Sequence, residues 1–413
     1  MKNETGKDFF DEFTGESGKD ANESFNPDPE MFSANFLEEV EQSLHESISL
    51  RRDLHGEQCV ATNQIDKCWR CKDDWDKNRH VLAQCVRGFA QGTIGGSGGD
   101  NYLVTDPTDD DAANPKPGTL RFGVIQNKPL WIIFEKDMII TLKHELVLNK
   151  DKTIDGRGAK VEIANGAGIT IGNVANVIVH GIHIHDIKKT QGGLVKDKED
   201  QPARERFKSD GDGMTIFNSS KIWIDHCTLS NGFDGLIDVT LGSTAVTISN
   251  CKFSNHEKVM LLGADDTHEM DKNMQVTVAL NKFDAGLGQR IPRCRWGFFH
   301  IINNDYQPWR MYAIVGSAKP TIISQGNRFI APDGRRKLVS MRANATEEEW
   351  KQWNWRTVND VFENGAQFIA SGVDPILSPE QQQHMNIQPE PGSAVEHLTS
   401  CAGALSCTIG KPC

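Results

Sequence analysis

Three arginines fall within six residues in Gln289-Arg290-Ile291-Pro292-Arg293-Cys294-Arg295, in a chain whose formal net charge is -12. A basic run is ordinarily a solvated loop. The alternative is a site that grips an anionic substrate and removes a proton from it, and upstream residues decide between the two. Ser209-Asp210-Gly211-Asp212-Gly213 is followed by Asp234-Gly235-Leu236-Ile237-Asp238, and Lys258 comes next in His256-Glu257-Lys258-Val259-Met260. Single aspartates beside glycine cap turns. Four drawn to one place repel unless protonated or neutralised by a cation. An all-oxygen set without His or Cys favours calcium or magnesium over zinc. Asp210, Asp212, Asp234 and Asp238 therefore read as a calcium site, provided the fold brings them together.

The elements that would do so are visible as a repeat. Val177-Ile178-Val179-His180, Ile222-Trp223-Ile224-Asp225, Val246-Thr247-Ile248-Ser249 and Val276-Thr277-Val278-Ala279 share one pattern, which Phe299-His300-Ile301-Ile302 and Ile322-Ile323-Ser324-Gln325 continue. The last four begin 30, 23 and 23 residues apart. Short strands recurring at about two dozen residues, with no helical pattern between them, point to a parallel β-helix rather than a sandwich. Aligning the repeats gives one column of Cys227, Cys251, Asn281, Asn304 and Asn327, and another of Leu229, Phe253, Phe283, Tyr306 and Phe329. Such columns predict inward amides bonded to one another and stacked rings filling the interior. Cys227 and Cys251 then sit on neighbouring coils about 4.8 Å apart, as stacked thiols or as a disulfide. In the same register Lys258 lies one coil after Asp234 and Asp238, and Arg290 and Arg295 one coil after Lys258. Carboxylates, lysine and arginines share a flank, offering two ways to hold the carboxylates of an acidic sugar polymer.

The bulk numbers fit this reading. The chain has 413 residues, 38% hydrophobic and 25% charged. It contains no apolar stretch long enough for a membrane helix. With 45 basic against 57 acidic residues, neither nucleic acid nor a membrane is an expected partner, and an acidic polymer needs a local basic patch. Residues 1-57 read as an acidic extension with one amphipathic helix over Phe36, Leu37, Val40, Leu44 and Ile48. Residues 58-388 read as the solenoid, and 389-413 as a Cys-containing tail. A helix is expected from Trp75 to Phe89, closed by Gly88. The glycine-rich run 92-99 lacks the Lys-Ser/Thr ending of a phosphate loop and reads as a turn. Asp109-Asp110-Asp111 reads as solvated. Cys68 and Cys71 have C-x-x-C spacing without a second zinc pair. Cysteines crowded toward both ends instead suggest the disulfides of an exported protein, although Met1 is followed by no apolar leader. Asn3, Asn22, Asn218 and Asn344 each head an N-glycosylation triplet.

Cys68-Trp69-Arg70-Cys71, Lys152-Thr153-Ile154-Asp155-Gly156-Arg157-Gly158, Trp223-Ile224-Asp225-His226, Val259-Met260-Leu261-Leu262-Gly263 and the arginine cluster resemble the plant pectate lyase family. The similarity runs from about Cys68 to the end, and the ending, with Ala370-Ser371-Gly372-Val373-Asp374-Pro375, looks most like its pollen members of the ragweed allergen type. The resemblance implies a right-handed parallel β-helix, all-β, with a short N-terminal helix and a covering C-terminal segment. It implies a secreted, monomeric enzyme that cleaves polygalacturonate by elimination with calcium as cofactor. By the same resemblance Asp210, Asp212, Asp234 and Asp238 match calcium ligands and Arg290 the base. Lys258 and Arg295 match substrate contacts, with Arg293 as supporting charge. Cys68 with Cys85 and Cys407 with Cys413 match family disulfides. Trp296 stands where members carry His. Trp223-Ile224-Asp225-His226 reads as structural, because Trp223 and Asp225 alternate with inward Ile222 and Ile224. An arginine base is unusual, since guanidinium ordinarily holds its proton above pH 12. Its cationic neighbours disfavour the protonated form, so an alkaline activity optimum is expected. A polygalacturonase-type hydrolase would use paired carboxylates and leave the basic strip without a role. A wall-binding protein without catalysis is the other reading.

Overall fold

A computed structural model describes residues Cys59-Cys413. The helix expected between Phe36 and Ile48 lies outside the described residues. From residue 100 onward the chain winds through three parallel sheets of ten, nine and eight strands. Each coil visits them in that order, as in Ser220–Asp225, Thr228–Ser230 and Gly235–Thr240. The next coil repeats the course in Thr244–Ser249, Lys252–Ser254 and Lys258–Leu262. We call these the first, second and third sheets. This is the parallel β-helix that the repeat spacing predicted, and right-handed crossovers are what twisted parallel strands allow.

Coils bury alternate residues. Ile222 and Ile224 point into the solenoid with Val246, Ile248, Val276 and Val278. Both predicted columns are present. At the corner between the first and second sheets Asn281 Nδ2 donates to Asn304 Oδ1 at 2.9 Å, and Asn304 Nδ2 to Asn327 Oδ1 at 2.9 Å. Phe253, Phe283, Tyr306 and Phe329 stack at 5.1, 4.7 and 4.4 Å, and Phe362 extends the stack at 5.6 Å. The amide ladder satisfies side chains and corner N–H groups that an apolar interior would otherwise strand. Cys227 and Cys251 are buried free thiols.

The outward residues of the same strands form a second core. Trp223, Trp131 and Ile178 pack against Ile65, Trp69, Trp75 and Leu82, and Leu398 and Cys407 join them. Polar groups lock this layer. Asp225 accepts from Ser249 Oγ at 2.6 Å and Asn250 Nδ2 at 3.0 Å, and lies 3.0 Å from His180 Nδ1. His226 places Nε2 2.8 Å from Asp66 and Nδ1 3.0 Å from the Gly403 carbonyl. Both partners are acceptors, so both ring nitrogens donate and the imidazole is a cation. Its pKa is accordingly raised to about 9 despite burial, chiefly by Asp66 and Asp225. The Trp-Ile-Asp-His segment thus clamps the N-terminal segment and the tail onto the first sheet.

Two expectations need correcting. The segment from Trp75 to Phe89 is not one helix but holds two 3-10 turns, Arg79–Cys85 and Gly88–Ala90, and a short α-helix, Asp66–Trp69, precedes it. Flat docking on the first sheet decides this: the Phe89 and Ala90 N–H groups donate to Thr277 and Thr247 hydroxyls, both at 3.0 Å. Gly88 (φ 74°) has no room for a side chain, because a Cβ would lie 2.7 Å from both hydroxyl oxygens. Asp109 is not solvated: it pairs with buried Arg121 at 2.5 and 2.7 Å. Cys71 pairs with Cys59, beside Cys68–Cys85 and Cys407–Cys413, so the C-x-x-C pair is split between two bridges. The glycine run is a turn, and Gly96 lies so close to Leu130 that a Cβ would meet its carbonyl at 1.8 Å.

Candidate active site

The third sheet and the corner that precedes it carry the residues singled out from sequence. Gly235 pairs with Lys258, and Lys258 bridges to Gln289. Three residues further along the strands, Thr215, Asp238, Leu261 and Arg293 stand on successive coils. At about 4.8 Å per coil the flank reads acid, lysine, arginine along the solenoid axis.

Asp212 and Asp238 converge over Gly235. A Cβ on Gly235 would lie 2.7 Å from Asp238 Oδ1 and 2.9 Å from Asp212 Oδ1, so only glycine leaves both oxygens room. The Gly235 N–H donates to Asp212 Oδ1 at 2.7 Å, and Thr215 Oγ1 to Oδ2 at 3.2 Å. Burial and the charges of Asp210 and Asp234 push the Asp212 carboxyl up, against the Gly235 hydrogen bond. Burial, then Asp212 and Asp234, push Asp238 well above the carboxylate range, and the Arg290 guanidinium opposes this only in part. A pair of carboxyls that cannot both ionise unaided is where a cation is held strongly.

Asp234 is ion-paired with Lys258, although its charge still reaches both members of that pair, while the Asp234 carbonyl lies 2.8 Å from His256 Nε2. Asp210 is exposed. Among the described residues no three His, Cys, Asp or Glu side chains are gathered as a ready metal cage. Two of the four predicted aspartates are therefore assembled, one is held by lysine and one faces solvent. The donors fit calcium: all are oxygens, two are starved of compensating charge, and Lys258 already fills the place of a cation on the third.

The arginines divide by geometry. Cys294 points into the core, which sends Arg293 and Arg295 outward by alternation. Arg295 donates Nε to Asp266 at 2.8 Å and Nη1 to the Gly263 carbonyl at 2.7 Å. Asp266 also accepts from Ser317 at 2.5 Å and Asn344 at 2.9 Å. Arg290 (φ 58°) sits at the corner, held through its carbonyl by the Met260 N–H at 2.8 Å. The Nε atoms of Arg290 and Arg293 are buried without a partner. Burial, Arg295 and Arg290 lower the Arg293 pKa. Trp296, beside the cluster, lies under the Lys272 ammonium at 4.7 Å.

Several contributors escaped the sequence reading. Asp266 braces Arg295 from a loop outside the repeat. Tyr312 donates to Gln289 Oε1 at 2.5 Å and so steadies the residue before Arg290. The Asp234-Gly235-Leu236-Ile237-Asp238 segment signals the acidic site in the sequence, but not that Gly235 itself is the floor on which Asp212 and Asp238 converge.

A parallel solenoid with an acidic pair and free arginines in line along an open flank defines a class: β-helix proteins that process a long anionic chain. The comparisons narrow it. A family model described as pectate lyase matches residues 137-349. Pectate lyase 1 of Ambrosia artemisiifolia is 56% identical over 377 residues, covering 91% of this chain and 94% of that protein. The pectate lyase of Lilium longiflorum is 52% identical over 412 residues, covering 98% and 94%. The crystal structure of jun a 1, the major allergen from cedar pollen, superposes with a TM-score of 0.80 at 46% identity, over 83% of this chain and 100% of that one. The chain belongs to the pectate lyase family, carbon-oxygen lyases that act on polysaccharide.

Proposed function

We infer that this chain cleaves (1→4)-α-D-galacturonan, de-esterified pectin, by β-elimination. The observation that carries the reading is the crowded pair of buried Asp212 and half-buried Asp238, two coils from an arginine cluster in which the Nε atoms of Arg290 and Arg293 are buried without a partner. Asp212, Asp238, Asp234 and Asp210 would hold calcium. Bound there, the ion supplies positive charge to the substrate carboxylate and stabilises the charge that builds beside it.

The residues of the chain do the rest. Lys258 leaves Asp234 for a substrate carboxylate once that aspartate is otherwise engaged. Arg293 meets a second carboxylate, and Arg295, braced by Asp266, is the fixed member of the pair. Arg290 takes the C5 proton as base; the C4–O bond then breaks, leaving a double bond between C4 and C5 and a new chain end. The base must begin unprotonated, so turnover rises toward alkaline pH. Three disulfides suit an oxidising, extracellular setting, and the partner is an acidic wall polysaccharide met by a monomer. Among the described residues no helix is long and apolar enough to cross a membrane.

The test compares wild type with Arg290→Lys on polygalacturonate plus calcium, following ultraviolet absorbance of the unsaturated ends. The expected loss is about 100-fold or more in kcat, with an unchanged thermal midpoint because no buried partner is lost. Equal rates would refute the base. Reducing ends without absorbance would mean hydrolysis, and inactivity of both forms would mean a binding protein.

A further inference from the structure

The charged hairpin Gly193–Val195 with Arg204–Arg206 and its tip take no part in the proposed reaction. They are nevertheless tied down: Val195 packs with Ala112 and Val147, and Glu199 N donates to the Ile125 carbonyl at 3.0 Å. Between this hairpin and the corner joining the third sheet to the first lies a cleft of about 650 Å³. A second hollow of about 390 Å³ shares Asn149, Asn173, Val174 and Lys198 with it, so the two form one groove. Together they have the size of a small-ligand site.

The lining is specific in its chemistry. Asn218 Nδ2 donates to Asn173 Oδ1 at 2.8 Å, and Asn149 Nδ2 to Asn127 Oδ1 at 3.2 Å. Among the described residues this leaves the Asn127 and Asn173 amino groups and the Asn218 carbonyl unspent. Lys150 and Lys198 bring ammonium groups, Lys150 only loosely paired with Asp151 at 3.7 Å, while Asp200 also lines the cleft and in the second hollow Arg204 is paired with Asp197. At the far end the Phe217 ring packs against Gly172, where a Cβ would come within 2.2 Å of it. An aromatic plate, amides that both give and accept, and cations for carboxylates are the three things an acidic sugar presents itself to. Phe217 ends the strand that Asp212 precedes and pairs with Thr240, two residues beyond the rung of Thr215 and Asp238, so the groove opens at the C-terminal ends of the third-sheet strands, several coils before the arginines.

We propose that this groove is a second binding site for an acidic oligosaccharide, holding another stretch of polygalacturonate away from the reaction strip. The ligand class rests on the proposed function; the site does not. Binding of a short, defined oligogalacturonate is titrated calorimetrically in chelator and low salt, with elimination switched off, for wild type, Lys150→Ala/Lys198→Ala and Phe217→Ala. Each variant is expected to bind about five- to tenfold more weakly, to fade further with added salt, and to keep wild-type elimination rates on short substrate with calcium. Unchanged affinity in the lysine variant overturns the proposal, as does an absence of wild-type binding in chelator. Intact mass of the secreted protein is measured first, because a glycan on Asn218 would fill the groove and overturn it too. A wild type that binds through the lysines but never eliminates would sink the proposed function and leave the groove standing.

Discussion

The His226 clamp gives a stability curve whose shape can be worked out. His226 is fully buried between Asp66 and the Gly403 carbonyl, and its pKa rises from 6.5 to about 9. A raised folded pKa means stability that is fully present below about pH 6.5 and lost as pH climbs through 9. At 1.36 kcal/mol per unit, about 3 kcal/mol is at stake. Lys152 works the other way. It is fully buried, donates to the Lys128 and Lys150 carbonyls at 2.9 and 2.8 Å, and is lowered from 10.5 to about 8 by burial. A depressed lysine adds stability as pH rises from about 8 to 10.5. Between pH 6.5 and 8 the His226 loss contributes about 2 kcal/mol, and from 8 to 9 it and the Lys152 gain cancel; above 9 the Cys251 and Cys294 thiols, which burial pushes up, oppose the Lys152 gain. For a chain of this size 2 kcal/mol is roughly 3 °C in midpoint. Calorimetry in chelator at fixed scan rate should therefore show a drop from pH 6.5 to 8 and a plateau from 8 to 9. His226→Gln should melt lower at pH 6, lose the drop, and turn the plateau between pH 8 and 9 into a rise as Lys152 sheds its proton. A flat wild-type profile from 6.5 to 8, or a drop that persists in the variant, would refute the assignment of a buried imidazolium.

Two further predictions concern the acidic pair. Asp238→Asn removes the repulsion that burial and Asp212 impose, so the calcium-free protein should gain about 1 kcal/mol while the rise in melting midpoint with added calcium disappears; destabilisation in chelator would contradict the crowding described. Gly235→Ala should fold, since Gly235 sits in an ordinary strand, yet its methyl would press on both carboxylate oxygens. Apparent calcium affinity, read from the calcium dependence of activity, should weaken about tenfold or more, and wild-type affinity would show that the cradle is not needed.

The fold was legible because a solenoid repeats its environment. Asn281, Asn304 and Asn327 stand 23 residues apart and meet as a ladder. The same logic carried Lys258 to the neighbourhood of Asp234 and the arginines to the coil beyond. It failed where side chains leave the repeat. Nothing in the spacing says that Asp234 turns to Lys258 rather than to Asp212, since the choice depends on which charge is nearer in the absence of a cation. Asp266 was unreadable because it lies in a long insertion between coils. The Trp75-Phe89 segment misled for a different reason: its apolar periodicity is real, but threonine hydroxyls on the first sheet compete for the backbone N–H groups a helix would use.

The Lys258–Asp234 pair explains how an electrostatically costly site can persist in a stable protein. Asp212, Asp234 and Asp238 cannot all remain ionised side by side, and two of them respond by holding protons more tightly. The third is relieved by a lysine from the next coil, which parallel stacking places within reach and which a cation could displace without moving the backbone. Displacement sends an ammonium group toward the arginine strip, where a polyanion would lie. Binding a cation and preparing a substrate contact then become one event, because each coil step separates acid from base by about 5 Å.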